Sequence, residues 1–346
     1  MDIVLELCDT YLLDKVYASA LPAQTSSLLN FGLSNTTVYG DTKSTTWQYT
    51  PASSFISFAP KDAAYMSSWN RDNIYRQAIS LFFITWFAGA TVYFVFSTVS
   101  YLLVFDKTTF NHPKFLRNQI RMEIAQAVKA MPVISILTTP FFLAEVRGYS
   151  KLYENWSHEP FPYYNILQFP LFLLFTDFCI YWIHRGLHHP LIYKRLHKPH
   201  HKWIMPSPYA SVAFHPLDGW AQSVPYHLFP FFFPLQKFCY LALFFFVQIW
   251  TIMIHDGEYV ANSPIINGAA CHTMHHLYFN YNYGQYTTLW DRICGSYRQP
   301  NQELFKPEGK MSKNEWDRQA KEMEKMVREV EGEDNRSYRH DDKKNL

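Results

Sequence analysis

Residues 78–105 contain no charged side chain. About 20 apolar residues cross a hydrocarbon core as a helix. In that medium a backbone satisfies its own polar groups only as a helix or a closed barrel. The run therefore predicts a transmembrane helix, around which every other segment must be arranged. A second apolar run, 130–146, is interrupted by Pro132 and Pro140 and carries Glu145 near its end. Helix breakers are tolerated inside membrane helices, so this run predicts a second span. A third, 163–183, holds one acidic residue, Asp177, about two turns before His184 and so on the same face. Residues 223–254 are apolar but broken by Pro225, Pro230, Pro234 and Lys237, and read as a hairpin that enters and leaves on one side. The expected fold is an all-α integral membrane protein, with about four transmembrane or re-entrant helical segments and a cytosolic histidine-rich helical domain. Mean hydropathy, −0.18, conceals this because polar ends dilute an apolar middle.

Twelve of the fifteen histidines lie between His184 and His276. Nine form three clusters: His184, His188 and His189; His197, His200 and His201; His272, His275 and His276. Residues three or four apart share a helix face, whereas neighbours point about 100° apart, so one helix can serve two metal ions. Buried imidazoles without partners each cost about 1–3 kcal/mol, and coordination removes much of that cost. The ligand set expected is His184, His188, His197, His200, His201, His255, His272, His275 and His276. His189 precedes Pro190, which biases it away from helical geometry, and is assigned with His215 to a supporting position behind the ligands. Asp218 and Asp256 are candidates to orient imidazoles, or to cap helices. His112, His158, His227 and His340 read as ordinary surface or core residues. All-nitrogen ligation excludes a calcium or magnesium cage. A structural zinc site closes with four ligands, and haem uses one or two. Two five- or six-coordinate irons fit best, although imidazole also suits zinc and copper.

The rest of the chain sets boundaries. Net charge is +2 with no long basic stripe, so nucleic-acid binding is not expected. The five cysteines have no Cys-x-x-Cys spacing and are odd in number, which argues against a disulfide framework and a thiolate site. No cleavable signal peptide is apparent at the N-terminus. Loop lysines and arginines place residues 106–126 and the stretch after His184 in the cytosol, and residues 148–161 in the lumen. Asn35 and Asn155 begin glycosylation sequons on the lumenal side. Residues 314–331 form a charged amphipathic helix, expected to pack on the domain. The expected divisions are 1–75, an N-terminal lumenal or peripheral region; 76–160, a transmembrane hairpin; 161–300, the di-metal domain; and 301–346, a charged cytosolic tail.

The H-x3-H, H-x2-HH, H-x2-HH series resembles the fatty acid hydroxylase superfamily of membrane di-iron oxidases. Within it, the runs beginning at His197, Phe214, Ile254 and His272 resemble those of the fungal sterol C-5 desaturase (lathosterol oxidase) type. The aromatic stretch after the third cluster distinguishes that type from sterol C-4 methyl oxidases and lipid hydroxylases of the same superfamily. The resemblance implies desaturation of an episterol-like Δ7-sterol at C5–C6 in ergosterol-type biosynthesis. It implies a di-iron centre, O2 as co-substrate, and electrons from NAD(P)H through cytochrome b5 and its reductase. Phe279, Tyr281, Tyr283, Tyr286 and Trp290 are then candidate walls of the sterol slot. Lys343 and Lys344 resemble a dilysine retrieval signal read by COPI-type machinery, which implies the endoplasmic reticulum membrane. A zinc-dependent membrane hydrolase is the reading from another class, and it leaves most of the histidines surplus.

Overall fold

The computed structural model describes residues 1–23, 47–259, 262–300, 302–306 and 312–339. Asn35, His340, Lys343 and Lys344 lie outside them. Among the described residues three helices are long and apolar enough to cross a membrane: α3 (Ile74–Leu103), α4 (Gln119–Val146) and α5 (Tyr164–Leu187). Helix α3 starts where the Asn73 side chain accepts the amides of Tyr75 and Arg76, which satisfies two of its free N–H groups. Phe83, Phe87, Val95 and Leu102 are exposed along it, as expected of a lipid-facing surface.

Helix α4 begins well before the apolar run at 130 and carries Pro132 and Pro140 without breaking. Its first turns are polar because they hold the loop after the second histidine cluster. Gln119 Nε2 donates to the Met205 carbonyl (2.7 Å), and Gln126 Nε2 donates to Ala213 O (2.8 Å). The Glu123 carboxylate accepts the Ser207 hydroxyl. A span inferred from hydropathy alone misses those turns.

The fourth apolar region is a hairpin of α8 (Pro216–Phe232) and α9 (Lys237–Met253). Each arm has 17 residues, about 25 Å at 1.5 Å per residue. At the tip, β2 (Leu235–Gln236) pairs in parallel with β1 (Leu152–Tyr153), in the connector from α4 to α5. His215 and His255 flank the hairpin at the opposite end, so the chain enters and leaves on the histidine side. Gln236 sets the turn: its side chain accepts the Cys239 amide (2.9 Å) and donates to Glu154 O (2.9 Å).

Helices α1 (Asp2–Cys8) and α2 (Asp14–Ala20), joined by one π-helical segment, cover the hairpin-tip end. Lys237 Nζ meets Asp2 at 2.6 Å. Buried Arg76 pairs with Asp9 and Asp14, each at 2.7 Å. The histidine end is built by α6 (Pro190–Leu196), α7 (Lys198–His201), α10 (Ala269–Tyr278), α11 (Leu289–Ile293) and α12 (Lys313–Val330). Met323 and Val327 of α12 join Tyr193, Trp203, Leu277 and Tyr278 in one apolar core. Behind them, buried Glu331 accepts the Tyr193 hydroxyl (2.9 Å) and pairs with Lys198 (3.0 Å) and Arg336 (2.9 Å). The amphipathic helix of the tail thus packs on the domain, as its periodicity predicts.

Candidate metal centre

His184 lies in the last turn of α5, His188 caps that helix, and His197 separates α6 from α7. His200 and His201 end α7, His255 follows α9, and α10 carries His272, His275 and His276. The fold collects these nine into two sets. His184, His188, His197, His201 and His275 offer nitrogens within 4.8 Å of one another, as do His200, His255, His272 and His276. The sets abut: the rings of His201 and His276 are 5.0 Å apart, and those of His200 and His201 6.0 Å. Adjacent residues of one short helix therefore serve different sets.

Four rings are oriented from behind. The Nδ1 atoms of His184, His255 and His275 reach the carbonyls of Tyr283 (3.0 Å), Thr251 (2.7 Å) and Tyr281 (2.7 Å). His197 Nδ1 reaches the Asp218 carboxylate at 2.8 Å. These partners accept only, so each Nδ1 carries the proton and each Nε2 presents a lone pair inward. His184 Nε2 and His197 Nε2 then face each other at 3.1 Å with no proton between them. Burial and neighbouring imidazoles hold His200, His201, His272 and His276 well below the ordinary histidine range. Burial alone lowers His255 to about 4, and burial with His197 lowers His275 to about 3. Neutral, converging lone pairs repel unless a cation lies among them. The donor set thus fits two transition-metal ions.

His189 and His215 stand outside both sets. Each caps a proline-led helix, accepting the amide of Leu191 (3.4 Å) and Leu217 (3.3 Å) respectively. Asp218 orients His197, while Asp256 Oδ1 accepts the Glu258 amide at 2.8 Å, a turn contact. Of the slot candidates, Tyr283 packs its ring 5.0 Å from His188 and 5.5 Å from His275. Phe279 lies 5.0 Å from His201, Tyr286 packs against Trp250 and Phe246, and Trp290 meets Phe178. Tyr281 supplies the carbonyl to His275.

None of the five lines the cavity of about 150 Å³ that opens beside His184, His200, His255 and His272. Its walls include Ile134, Ile180, Val247 and Ile254, with Ser211 and Gln222 among the polar groups. Of the aromatic loop only Gly284 and Gln285 reach the cavity, while the Tyr283 and Tyr281 carbonyls support His184 and His275. Two buried carboxylates hold that loop. Asp177 accepts the amides of Gln285 (2.9 Å) and Tyr286 (2.7 Å), and Asp291 accepts those of Tyr283 and Gly284 (2.9 Å each). Asp177 does share the His184 face, but it serves the loop. The roles of Asp291 and Gln222 carry no signal in their spacing.

A membrane-embedded helical protein whose polar end gathers two sets of histidines is the class defined by this fold and site. The model of the fatty acid hydroxylase family matches residues 169–296. A Delta(7)-sterol 5(6)-desaturase of Aspergillus fumigatus is 64% identical over 98% of this chain and 97% of its own. Those of Leptosphaeria maculans and Saccharomyces cerevisiae are 60% and 46% identical, each over nearly the full length of both chains. No solved structure matches. The chain belongs to the Delta(7)-sterol 5(6)-desaturases, oxidoreductases within the fatty acid hydroxylase superfamily.

Proposed function

We propose that this enzyme forms the C5–C6 double bond of an episterol-like Δ7-sterol in ergosterol-type biosynthesis, using O2 and two iron ions. The observation that carries the reading is the pair of converging lone-pair sets. His184, His188, His197, His201 and His275 hold one iron, and His200, His255, His272 and His276 hold the other. Bound there, the irons supply O2 activation for removing hydrogen from an unreactive carbon. The protein fixes the imidazole planes through Asp218 and the carbonyls of Thr251, Tyr281 and Tyr283. Apolar walls at Ile134, Ile180 and Val247 keep water from the reacting bond. Phe279, Tyr281 and Tyr283 support the imidazoles, Tyr286 and Trp290 pack on α9 and α5, and His189, His215 and Asp256 hold the helix starts and the turn around the site.

Desaturation gives up two electrons, whereas reduction of O2 to two waters takes four. Two more must come from outside, here from NAD(P)H through cytochrome b5 and its reductase. A cleft of about 550 Å³ lined by Arg117, Lys194, Lys198, Lys202 and Arg336 supports an acidic carrier. It lies on α6 and α7, and Arg336 Nη2 donates to the His201 carbonyl at 3.1 Å. The location proposed is the endoplasmic reticulum membrane, with the histidine end and the C-terminus cytosolic.

The test is sterol profiling of cells lacking this protein, complemented with the intact chain or with His275→Ala. Δ7-sterols lacking the second ring-B double bond should accumulate, and only the intact chain should clear them. An unchanged Δ7 pool, or a defect at the C4 methyl groups or in acyl hydroxylation, would instead indicate a methyl oxidase or lipid hydroxylase of the same superfamily.

A further inference from the structure

The cavity beside the histidines is mainly apolar, yet one wall carries a hydroxyl with nothing to bond. Ser211 lies in the 3-10 turn Pro208–Val212, is fully buried, and lines the cavity together with His200 and Phe214. Its Oγ has no hydrogen-bond partner among the described residues. A buried hydroxyl left unpaired costs about 1–3 kcal/mol, and Ala at that place would avoid the cost. The turn is held firmly on every side. Ser207 donates to Glu123, Tyr93 Oη donates to the Tyr209 carbonyl (2.9 Å), and Ser97 Oγ donates to the Pro208 carbonyl (3.2 Å). The Ser211 hydroxyl is therefore presented by a rigid element.

The substrate's own chemistry states what it meets. In a sterol the 3-hydroxyl and C5 belong to the same ring, with one ring carbon between C3 and C5. A pose that brings C5 to the histidines through this cavity therefore also places the 3-hydroxyl within it, away from water. Without a protein partner there, binding would forfeit that hydroxyl's hydrogen bond to solvent. Resting on the desaturase reading, we infer that Ser211 Oγ is the hydrogen-bond partner of the sterol 3-hydroxyl and makes the free 3-hydroxy group a requirement of the substrate. A 3-ester lacks the donor and adds bulk where the turn cannot yield. Gln222 lines the same cavity and donates to Asp218 Oδ1 at 2.7 Å, so that wall is coupled to His197 through one carboxylate.

The test is equilibrium binding, without turnover, of a Δ7-3β-hydroxysterol and its 3-deoxy analogue to the purified full chain with its metal. The intact chain should prefer the hydroxysterol. Ser211→Ala should weaken the hydroxysterol roughly three- to tenfold, the worth of one neutral hydrogen bond, and leave the 3-deoxy sterol unchanged. Ser211→Thr, which keeps the hydroxyl, should restore the preference. In turnover the Ala variant should raise KM for the sterol with kcat little changed. Equal weakening of both sterols, or of neither, overturns the assignment. Failure of the desaturase reading shows separately, as absence of the 5(6) product from the intact chain.

Discussion

His197 shows how one residue here depends on another outside the two histidine sets. Its Nδ1 meets Asp218, and Asp218 is itself held by Gln222. Removing a partner that orients a ligand imidazole typically lowers metal affinity or activity 10- to 100-fold. Asp218→Ala should therefore lose iron and desaturation by that factor, as read by metal content per chain and by sterol conversion. Full iron content with full activity would show that the contact is idle. Gly284 makes a second case. A Cβ there would run into the Thr287 carbonyl and crowd Asp291 and Asn267, whereas a Cβ at Gly89 meets nothing within 4 Å. Gly284→Ala should displace the loop whose Tyr283 carbonyl orients His184, cutting iron content and folded yield, while Gly89→Ala should match the parent in both.

At the scale of elements, the helix α12 and the connector before α4 form one packed unit. Met323 is fully buried against Trp203 and Tyr278, so Met323→Ala should cost about 2–5 kcal/mol, seen as a lower melting temperature in detergent. His112 lies under this unit, 5.8 Å from the Trp316 ring, and burial holds it down to about 3. Once the unit opens, that imidazole returns to about 6.5. Between those values the open state binds a proton that the closed state refuses. The packing is therefore fully stable above about pH 6.5 and weakens as pH falls toward 3. Melts at pH 7.5 and 5 should separate the parent from His112→Gln, the parent losing more on acidification; equal losses would remove His112 from the account.

The whole molecule has two unlike ends. One is closed by α1, α2 and the hairpin tip, with a buried cluster of Arg71, Arg76, Asp9 and Asp14. The other carries the histidines, the basic cleft and α12. Single cysteines at Tyr149 and Lys194, both exposed, should therefore label from opposite sides of sealed microsomes, Lys194→Cys from the cytosolic side. Labelling of both from one side would refute the topology.

Much of this was legible in the chain itself. Charge-free apolar runs require helices in hydrocarbon, and histidines at three- and four-residue steps require shared faces, so the spans and the clusters are local properties. The hairpin was also readable, because His215 and His255 flank an apolar stretch broken by prolines. Distribution of the nine imidazoles between two sets was not, since it depends on how α5, α7, α9 and α10 meet. The lining of the cavity was not legible for a related reason. The aromatic residues after His276 stand next to the site in the chain, but Asp177 and Asp291 hold their loop so that only Gly284 and Gln285 of it line the cavity. Its other walls come from α4, α5, α8 and α9, from the turn that carries Ser211 and from four of the histidines, segments far apart in sequence. Candidate ligands follow from residue type and period; which open space a histidine set faces follows from packing between distant segments, which only the tertiary structure decides.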